Sequence, residues 1–149
     1  MLTVRPGEHG STYGGNPLAC RVGMAALQVL VDERLAENAA AMGERLREGL
    51  RSMIGEDTAA AAGRGAGGGE GGVVKSVRGR GLLTAVVVND SEDGSLASTL
   101  CEGLMRRGLL AKPTHGNIIR LAPPLCITAG QIDEALGIVE DTVRAVQSA

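Results

Sequence analysis

Residues 10–17, Gly-Ser-Thr-Tyr-Gly-Gly-Asn-Pro, combine hydroxyl groups with glycines directly before a predicted helix. Glycines let the backbone approach a ligand closely, and the first turn of a helix offers unpaired N–H groups and a favourable dipole to an anion. Ser11 and Thr12 are therefore candidate ligands for a phosphate group. The same residue types are also ordinary capping residues, so the pattern by itself leaves both interpretations open.

A single arginine lies inside a short apolar stretch near the carboxyl end, Ile118-Ile119-Arg120-Leu121-Ala122. A guanidinium in a half-buried strand is costly unless it is paired, and its planar fork suits a carboxylate in two parallel hydrogen bonds. Arg120 is therefore a candidate for binding a substrate carboxylate. An arginine on an exposed strand face, or one in an internal ion pair, would fit the same sequence.

The other reactive side chains give weaker indications. His9 and His115 have no Glu or Cys at metal-ligand spacing, so the sequence predicts no metal site. Lys75 and Lys112 are the only lysines, and neither has the surroundings that mark an imine-forming amine. The glycine-rich stretch at residues 59–72 lacks the lysine and hydroxyl of a phosphate-binding P-loop, and no G-x-S-x-G nucleophile motif occurs.

Composition narrows the classes of protein that the chain can belong to. A length of 149 residues suits one domain, and a net charge of −2 with scattered basic residues predicts no nucleic-acid partner and no membrane contact. No apolar run approaches the roughly 18 residues of a membrane span. Cys20, Cys101 and Cys126 are far apart and odd in number, which argues against disulfides and a zinc site. We expect Cys20 to pack near the core-facing side of its helix.

Two consecutive helices are predicted at about residues 17–31 and 33–54, with Asn16 and Pro17 starting the first and Asp32 capping the second. Apolar residues at helical spacing predict one buried stripe on each helix. These residues are Leu18, Val22, Ala25 and Val29 in the first helix, and Leu35, Ala39, Met42, Leu46, Leu50 and Met53 in the second. Gly55 is a plausible stop, and the glycine-rich stretch that follows is predicted to be a flexible surface insertion.

The carboxyl half alternates short strands and helices. Strands are predicted at residues 73–77 and 82–88 around a kink at 78–81, and at 109–112 and 118–121 around a tight loop. A short helix carries Leu96, Leu100 and Leu104 and ends at Gly108, and Thr128 with Gln131 forms a capping box before the last helix. This order predicts an α+β fold, in which two long helices precede a small, mostly antiparallel sheet covered by helices.

Two longer segments resemble the ornithine aminotransferases, which belong to the class III aminotransferases that use pyridoxal phosphate. They are GEHGSTYGGNPLACRV at residues 7–22 and GLLAKPTHGNIIRLAPPL at 108–125, and the resemblance continues through LAENAAAMGERLREGL at 35–50 and VRGRGLL at 77–83. It implies the carboxy-terminal piece of an aspartate-aminotransferase-like fold. The implied parts are an interface-loop remnant of the large domain at 1–17, connecting helices at 18–54, a foreign glycine-rich insertion at 55–72 and the small domain at 73–149.

The resemblance also implies an activity and roles for three residues. The family transfers the δ-amino group of L-ornithine to 2-oxoglutarate, giving glutamate 5-semialdehyde and glutamate. Thr12 through its hydroxyl and Ser11 through its backbone would contact the phosphate of pyridoxal 5'-phosphate across a homodimer interface. Arg120 would bind the substrate α-carboxylate. The resemblance is compatible with a mitochondrial matrix or a cytoplasmic location.

The family's imine-forming lysine and its carboxylate partner for the pyridine nitrogen lie upstream of the GSTYGGNP motif. The resemblance therefore assigns no catalytic residue to this chain and implies that the chain is not active alone. Lys112 falls in the AKPTHG segment, where the family does not place that lysine. Two alternatives are a non-catalytic binding module derived from the small domain, and another class III enzyme such as an acetylornithine aminotransferase.

Overall fold

The computed structural model describes residues 3, 5, 8–53 and 72–148. The chain divides into two compact units, Met1–Leu35 and Ala36–Ala149. The elements are α1 (Pro17–Asp32), α2 (Leu35–Ser52), β1 (Val74–Arg80), β2 (Leu83–Val88), α3 (Leu96–Arg106), β3 (Lys112–Thr114), β4 (Ile118–Leu121) and α4 (Ala129–Gln147). This order confirms the predicted α+β fold. The expected stop at Gly55 and nearly all of the glycine-rich insertion lie outside the described residues.

Helix α1 begins as predicted but is not buried. The Asn16 side chain accepts a hydrogen bond from the Ala19 N–H at 3.1 Å, and Pro17 occupies the first turn. No residue of α1 is buried, so the predicted stripe and the predicted packing of Cys20 are both wrong. The physical reason is that α1 is the only helix or strand described in its unit, and periodic apolar residues are buried only where another element covers them.

The first helix ends one residue later than predicted, and the second begins two residues later. Asp32 still belongs to α1, where its carboxylate accepts a hydrogen bond at 2.8 Å from the Gln28 side chain one turn earlier. Glu33 ends the helix, and Arg34 takes a positive φ of 51°. The prediction that Asp32 caps the second helix is therefore wrong.

Helix α2 buries its predicted stripe. Ala39, Leu46 and Leu50 lie in the core of the second unit, and Met42 and Met53 pack against it. Arg45 joins α2 to α4 through two hydrogen bonds of 2.7 Å to the Asp133 carboxylate. These bonds hold the pKa of Asp133 below its ordinary value and raise the pKa of Arg45.

The four strands form one antiparallel sheet in the order β1-β2-β4-β3. Strand β1 continues through the segment predicted to be a kink, because the reversal occurs at Gly81 and Leu82, with Gly81 at φ +53°. Strand β3 occupies residues 112–114 rather than 109–112. The Leu109 N–H donates to the Leu104 carbonyl at 3.0 Å and so completes the end of α3 instead of joining the sheet.

One face of the sheet is packed against helices, and we call it the packed face. It carries Thr84, Val86 and Val88 from β2 and Ile119 and Leu121 from β4, all of them buried. Apolar residues of the helices complete this core, namely Ala97, Leu100, Cys101 and Leu104 from α3 and Ile132, Val139 and Val143 from α4. The predicted capping box is confirmed, with the Thr128 side chain and Gln131 bonded reciprocally at the start of α4.

Helix α2 also holds the turn between β1 and β2. The buried Arg47 guanidinium donates to the Gly81 carbonyl at 2.5 Å and to the Glu44 carboxylate at 2.8 Å. Glu44 accepts a second bond from Arg51 at 2.9 Å, and the two arginines lower the pKa of Glu44. A Cβ atom on Gly43 would lie 1.8 Å from the Gly81 carbonyl oxygen, so only glycine fits between helix and turn. No described helix is long and apolar enough to cross a membrane.

Candidate functional site

The segment predicted to bind phosphate forms a tight turn before α1. The Ser11 hydroxyl accepts the Gly14 N–H at 2.8 Å, and the Asn16 N–H donates to the Tyr13 carbonyl at 3.1 Å. Gly15 takes φ +77°, a conformation that glycine adopts without strain. The turn therefore delivers the chain to the helix start with its hydroxyl-bearing residues exposed to solvent.

Thr12 is a side chain in this turn that is available for a ligand. Within the described ranges its hydroxyl and its N–H form no hydrogen bond, whereas the Ser11 hydroxyl is engaged as an acceptor. Both residues precede the N-terminus of α1, where unpaired N–H groups favour an anion. Chemically, the turn offers the hydroxyls of Ser11, Thr12 and Tyr13 and free backbone N–H groups on the amino-terminal side of a helix.

Arg120 lies in the middle of β4 on the side of the sheet that faces away from the helices, which we call the open face. Its neighbours Ile119 and Leu121 are buried in the packed face, whereas Arg120 is exposed. No ion pair to Arg120 exists among the described residues. Of the alternatives that the sequence leaves open, the structure has the exposed strand face, because strand alternation turns Arg120 to solvent. The guanidinium N–H groups are thus available to donate to a carboxylate.

The open face carries further basic residues that sequence reasoning missed. Arg120 pairs with Ala85 on β2 and with Lys112 on β3, and Ala85 pairs with Arg78 on β1. Arg78, Ala85, Arg120 and Lys112 therefore form one row across all four strands. The basic residues are visible in the sequence, but their alignment in one row depends on the strand register and on β1 continuing past Arg78.

A surface depression of about 360 Å³ lies over three members of this row, Arg78, Ala85 and Arg120, and Arg80, Leu83 and Ile118 also line it. The loop between β3 and β4 borders it through His115, a non-glycine residue at φ +52°. That loop is fixed in place, because the Val88 N–H donates to the Asn117 carbonyl at 2.8 Å. The arrangement can bind a small anion between cationic walls.

The remaining candidates do not form a reactive centre. Lys75 and Lys112 are both exposed strand residues, and Lys75 lies at a register irregularity of β1. Cys101 is buried among apolar side chains, and this burial raises the pKa of its thiol. In the part of the chain that the structure describes, no cluster of His, Cys, Asp or Glu could hold a metal ion. Ser11 and Thr12 belong to the first unit and Arg120 to the second, so each candidate is described within its own unit.

Comparison with known proteins decides the family. The family model described as aminotransferase class-III matches residues 1–143. The chain is a class III aminotransferase sequence. Among curated relatives, the mitochondrial ornithine aminotransferase of Drosophila melanogaster is 51% identical over 98% of this chain, and that of Rattus norvegicus is 49% identical over 96%. The resemblance seen in the sequence is therefore confirmed.

Solved structures of the same class III family share the fold. The acetylornithine aminotransferase of Elizabethkingia anophelis superimposes with a TM-score of 0.79 at 48% identity, covering 95% of this chain and 33% of that chain. The ornithine δ-aminotransferase of Plasmodium falciparum superimposes with a TM-score of 0.77 at 38% identity, covering 99% of this chain and 34% of that chain. The class III chain described here spans about 30% of the length of the Drosophila and rat relatives.

Proposed function

We propose that this chain is part of an ornithine aminotransferase, which transfers the δ-amino group of L-ornithine to 2-oxoglutarate and yields glutamate 5-semialdehyde and glutamate. The observation that carries the proposal is Arg120, a guanidinium exposed on the open face and without an acidic partner among the described residues. Support comes from the ornithine aminotransferases of fly and rat, which match nearly all of the chain. The proposal includes a homodimer with a shared site, and a mitochondrial location like that named for these relatives.

In this proposal Arg120 binds the α-carboxylate of the amino acid through two parallel hydrogen bonds. The guanidinium fork fixes the orientation of the carboxylate as well as its position, which a lysine in its place would not do. Fixing one end of the substrate also fixes where the reacting amino group lies. Much of the rate gain in such reactions comes from that positioning.

Ser11 and Thr12 hold the phosphate of pyridoxal 5'-phosphate in this proposal. The residues fit that group, because the Thr12 hydroxyl and N–H are unpaired within the described ranges and lie at the amino-terminal side of α1. When bound, the cofactor supplies the electron sink for amino transfer. Neither Lys75 nor Lys112 is assigned to attach the cofactor, so we expect no activity from this chain alone.

The test is a segment exchange. The matching carboxy-terminal segment of the Drosophila melanogaster enzyme is replaced by this chain, and ornithine-dependent transamination to 2-oxoglutarate is measured. We expect turnover within about tenfold of the parent, since the two segments are 51% identical. In the exchanged enzyme, Arg120→Ala should lower kcat/KM for ornithine roughly a hundredfold and leave cofactor retention unchanged, because a bidentate carboxylate contact is lost.

Thr12→Ala should have the opposite profile, with weaker retention of pyridoxal phosphate on gel filtration and a smaller change in the KM for ornithine. Arg106→Ala is the matched control, since Arg106 is an exposed residue of α3 whose only ion pair among the described residues, to Glu102, spans 3.8 Å. Equal effects of Arg120→Ala and Thr12→Ala on both readouts would contradict the assigned roles. Loss of turnover in the unmutated exchange would contradict the proposed function.

An acetylornithine aminotransferase is the second candidate. The 48% identity and TM-score of 0.79 to the Elizabethkingia anophelis enzyme favour it specifically. The exchanged enzyme should therefore be offered N-acetylornithine as well as ornithine. A higher kcat/KM for N-acetylornithine than in the parent would favour this second function, because only the introduced segment differs.

A further inference from the structure

Arg120 lies at the end of the sheet where β2 begins and β4 ends. Strand β2 starts after the turn at Gly81 and Leu82, and β4 ends at Leu121, the residue after Arg120. Because the two strands are antiparallel and Ala85 pairs with Arg120, the start of β2 and the end of β4 lie side by side. The position of Arg120 therefore depends on how these two chain segments are held.

The start of β2 is held by a buried arginine of α2. Only 5% of Arg47 is exposed, and its guanidinium donates to the Gly81 carbonyl at 2.5 Å and to the Glu44 carboxylate at 2.8 Å. A charged donor makes the stronger kind of hydrogen bond, and a buried guanidinium that lost its partners would carry a large desolvation cost. The bond to Gly81 therefore resists any shift of the turn relative to α2.

The segment that follows β4 is held by a second polar side chain of α2. The half-buried Asn38 donates from its amide nitrogen to the carbonyls of Leu125 at 2.7 Å and Ile127 at 3.0 Å. Pro123 and Pro124 precede these residues and have no N–H group, so they offer no donor of their own. The side chain of Asn38 therefore fixes the path along which the chain leaves the sheet.

We propose that Asn38 and Arg47 are positioning residues, which hold the two segments beside Arg120 on one helix and so fix where its guanidinium lies on the open face. The inference rests on the proposed function, in which Arg120 binds the substrate α-carboxylate. Two parallel hydrogen bonds require the guanidinium and the carboxylate to lie in one plane. A displacement of about 1 Å at such a contact can cost up to about a hundredfold in rate.

A double-mutant cycle in the segment-exchanged enzyme tests this role. The measured quantity is kcat/KM for ornithine, per subunit that retains cofactor. Asn38→Ala and Arg47→Met should each lower it roughly tenfold when Arg120 is present, but less than about twofold when Arg120→Ala is already introduced. Substitutions that only destabilise the enzyme would give the same factor in both cases. Arg47→Lys keeps a charged donor for Gly81 and should recover part of the loss.

Arg45→Gln is the matched control on the same helix. Arg45 makes two hydrogen bonds to Asp133, but that residue belongs to α4 rather than to the segments beside Arg120. We therefore expect a change of less than about twofold with or without Arg120. Circular dichroism establishes that each variant is folded. If Arg47→Met does not fold, the cycle with Asn38→Ala decides, because Asn38 holds the other segment independently.

Hydrogen–deuterium exchange tests the positioning without any activity, in the ¹⁵N-labelled 149-residue chain. The two α2 variants should speed amide exchange at Ala85 and Arg120 at least about threefold more than at Val88. Val88 is the internal reference, because it lies at the end of β2 that is remote from the turn held by α2. Arg45→Gln should affect both ends of β2 alike.

Equal factors with and without Arg120 in the cycle would overturn the proposal, and so would a uniform acceleration of amide exchange along β2. Failure of the proposed function looks different. In that case the unmutated segment exchange has no turnover, whereas the two α2 variants still speed amide exchange selectively at Arg120. An active segment exchange that depends on Arg120 but not on Asn38 or Arg47 would contradict only the positioning role.

Discussion

The two faces of the four-stranded sheet are formed by the same strands but differ in burial and in charge. On the packed face, Val86 and Ile119 are buried beneath helices. On the open face, Arg78 and Arg120 are exposed and carry no ion pair among the described residues. Successive residues of one strand therefore have different tasks. The packed face supplies stability, and the open face carries exposed basic side chains.

This comparison explains why an unpaired arginine is tolerated in a strand of only four residues. The cost of burying a guanidinium never arises for Arg120, because its side chain points away from the core. Ile119 and Leu121 fix the register of β4 through their burial. A slip by one residue would bury Arg120 and expose both apolar neighbours, so the packed face also positions the charged residue.

The sharpest test of the comparison uses two adjacent residues of β4. Ile119→Ala removes a buried side chain and should lower the free energy of unfolding by about 2–5 kcal/mol. Arg120→Ala changes an exposed residue and should alter it by less than about 0.5 kcal/mol. Urea unfolding of the chain, followed by circular dichroism, measures both. Similar losses in the two variants would break the distinction between the faces.

A second test concerns the turn between β1 and β2, which packs against α2. Gly43→Ala places a Cβ atom 1.8 Å from the Gly81 carbonyl oxygen, so helix and turn must separate. We expect a loss of about 1–3 kcal/mol in the free energy of unfolding. Gly137→Ala is the matched control, because Gly137 also lies in a helix but nothing lies within 4 Å of its added Cβ.

The control should stabilise the chain by roughly 0.5–1 kcal/mol through the better helix propensity of alanine. The difference between the two glycine variants isolates the contact with the turn from the backbone effect. Gly43→Ala with unchanged stability would show that the turn does not depend on α2.

Local patterns predicted the elements whose signals are local. The Thr128–Gln131 box starts α4 as expected, and the stripe of α2 is buried, since both depend on spacing within one segment. The stripe of α1 has the same spacing and is exposed, because burial depends on which element covers a helix. Sequence alone gives the periodicity but not the neighbour.

The residues of the candidate site likewise divide into those that local sequence identifies and those that depend on tertiary neighbours. Ser11, Thr12 and Arg120 could be selected from their residue types and flanking sequence. Arg78 could not, because its proximity to Arg120 depends on two strand registers and on β1 running through Gly79. Because of the glycines on either side of Arg80, the sequence predicted a kink at residues 78–81, whereas the strands reverse at Gly81 and Leu82. In the structure only Gly81 takes the positive φ that a turn requires.

The smallest expected effect concerns the one polar residue of β2 on the packed face. Thr84 is fully buried, with 0% of its surface exposed, and its hydroxyl has no hydrogen-bond partner among the described residues. Thr84→Val keeps the shape and removes the unsatisfied group, so it should raise the free energy of unfolding by about 1 kcal/mol. Thr142→Val is the control, since the equally buried Thr142 hydroxyl donates to the Ile138 carbonyl at 2.7 Å. That variant should lose about 0.5 kcal/mol of unfolding free energy. Opposite signs for the two variants would show that a polar group on the packed face is destabilising unless it is hydrogen-bonded. A loss of stability in Thr84→Val would instead mean that this hydroxyl has a partner in solution, and that the packed face is less purely apolar than the comparison requires.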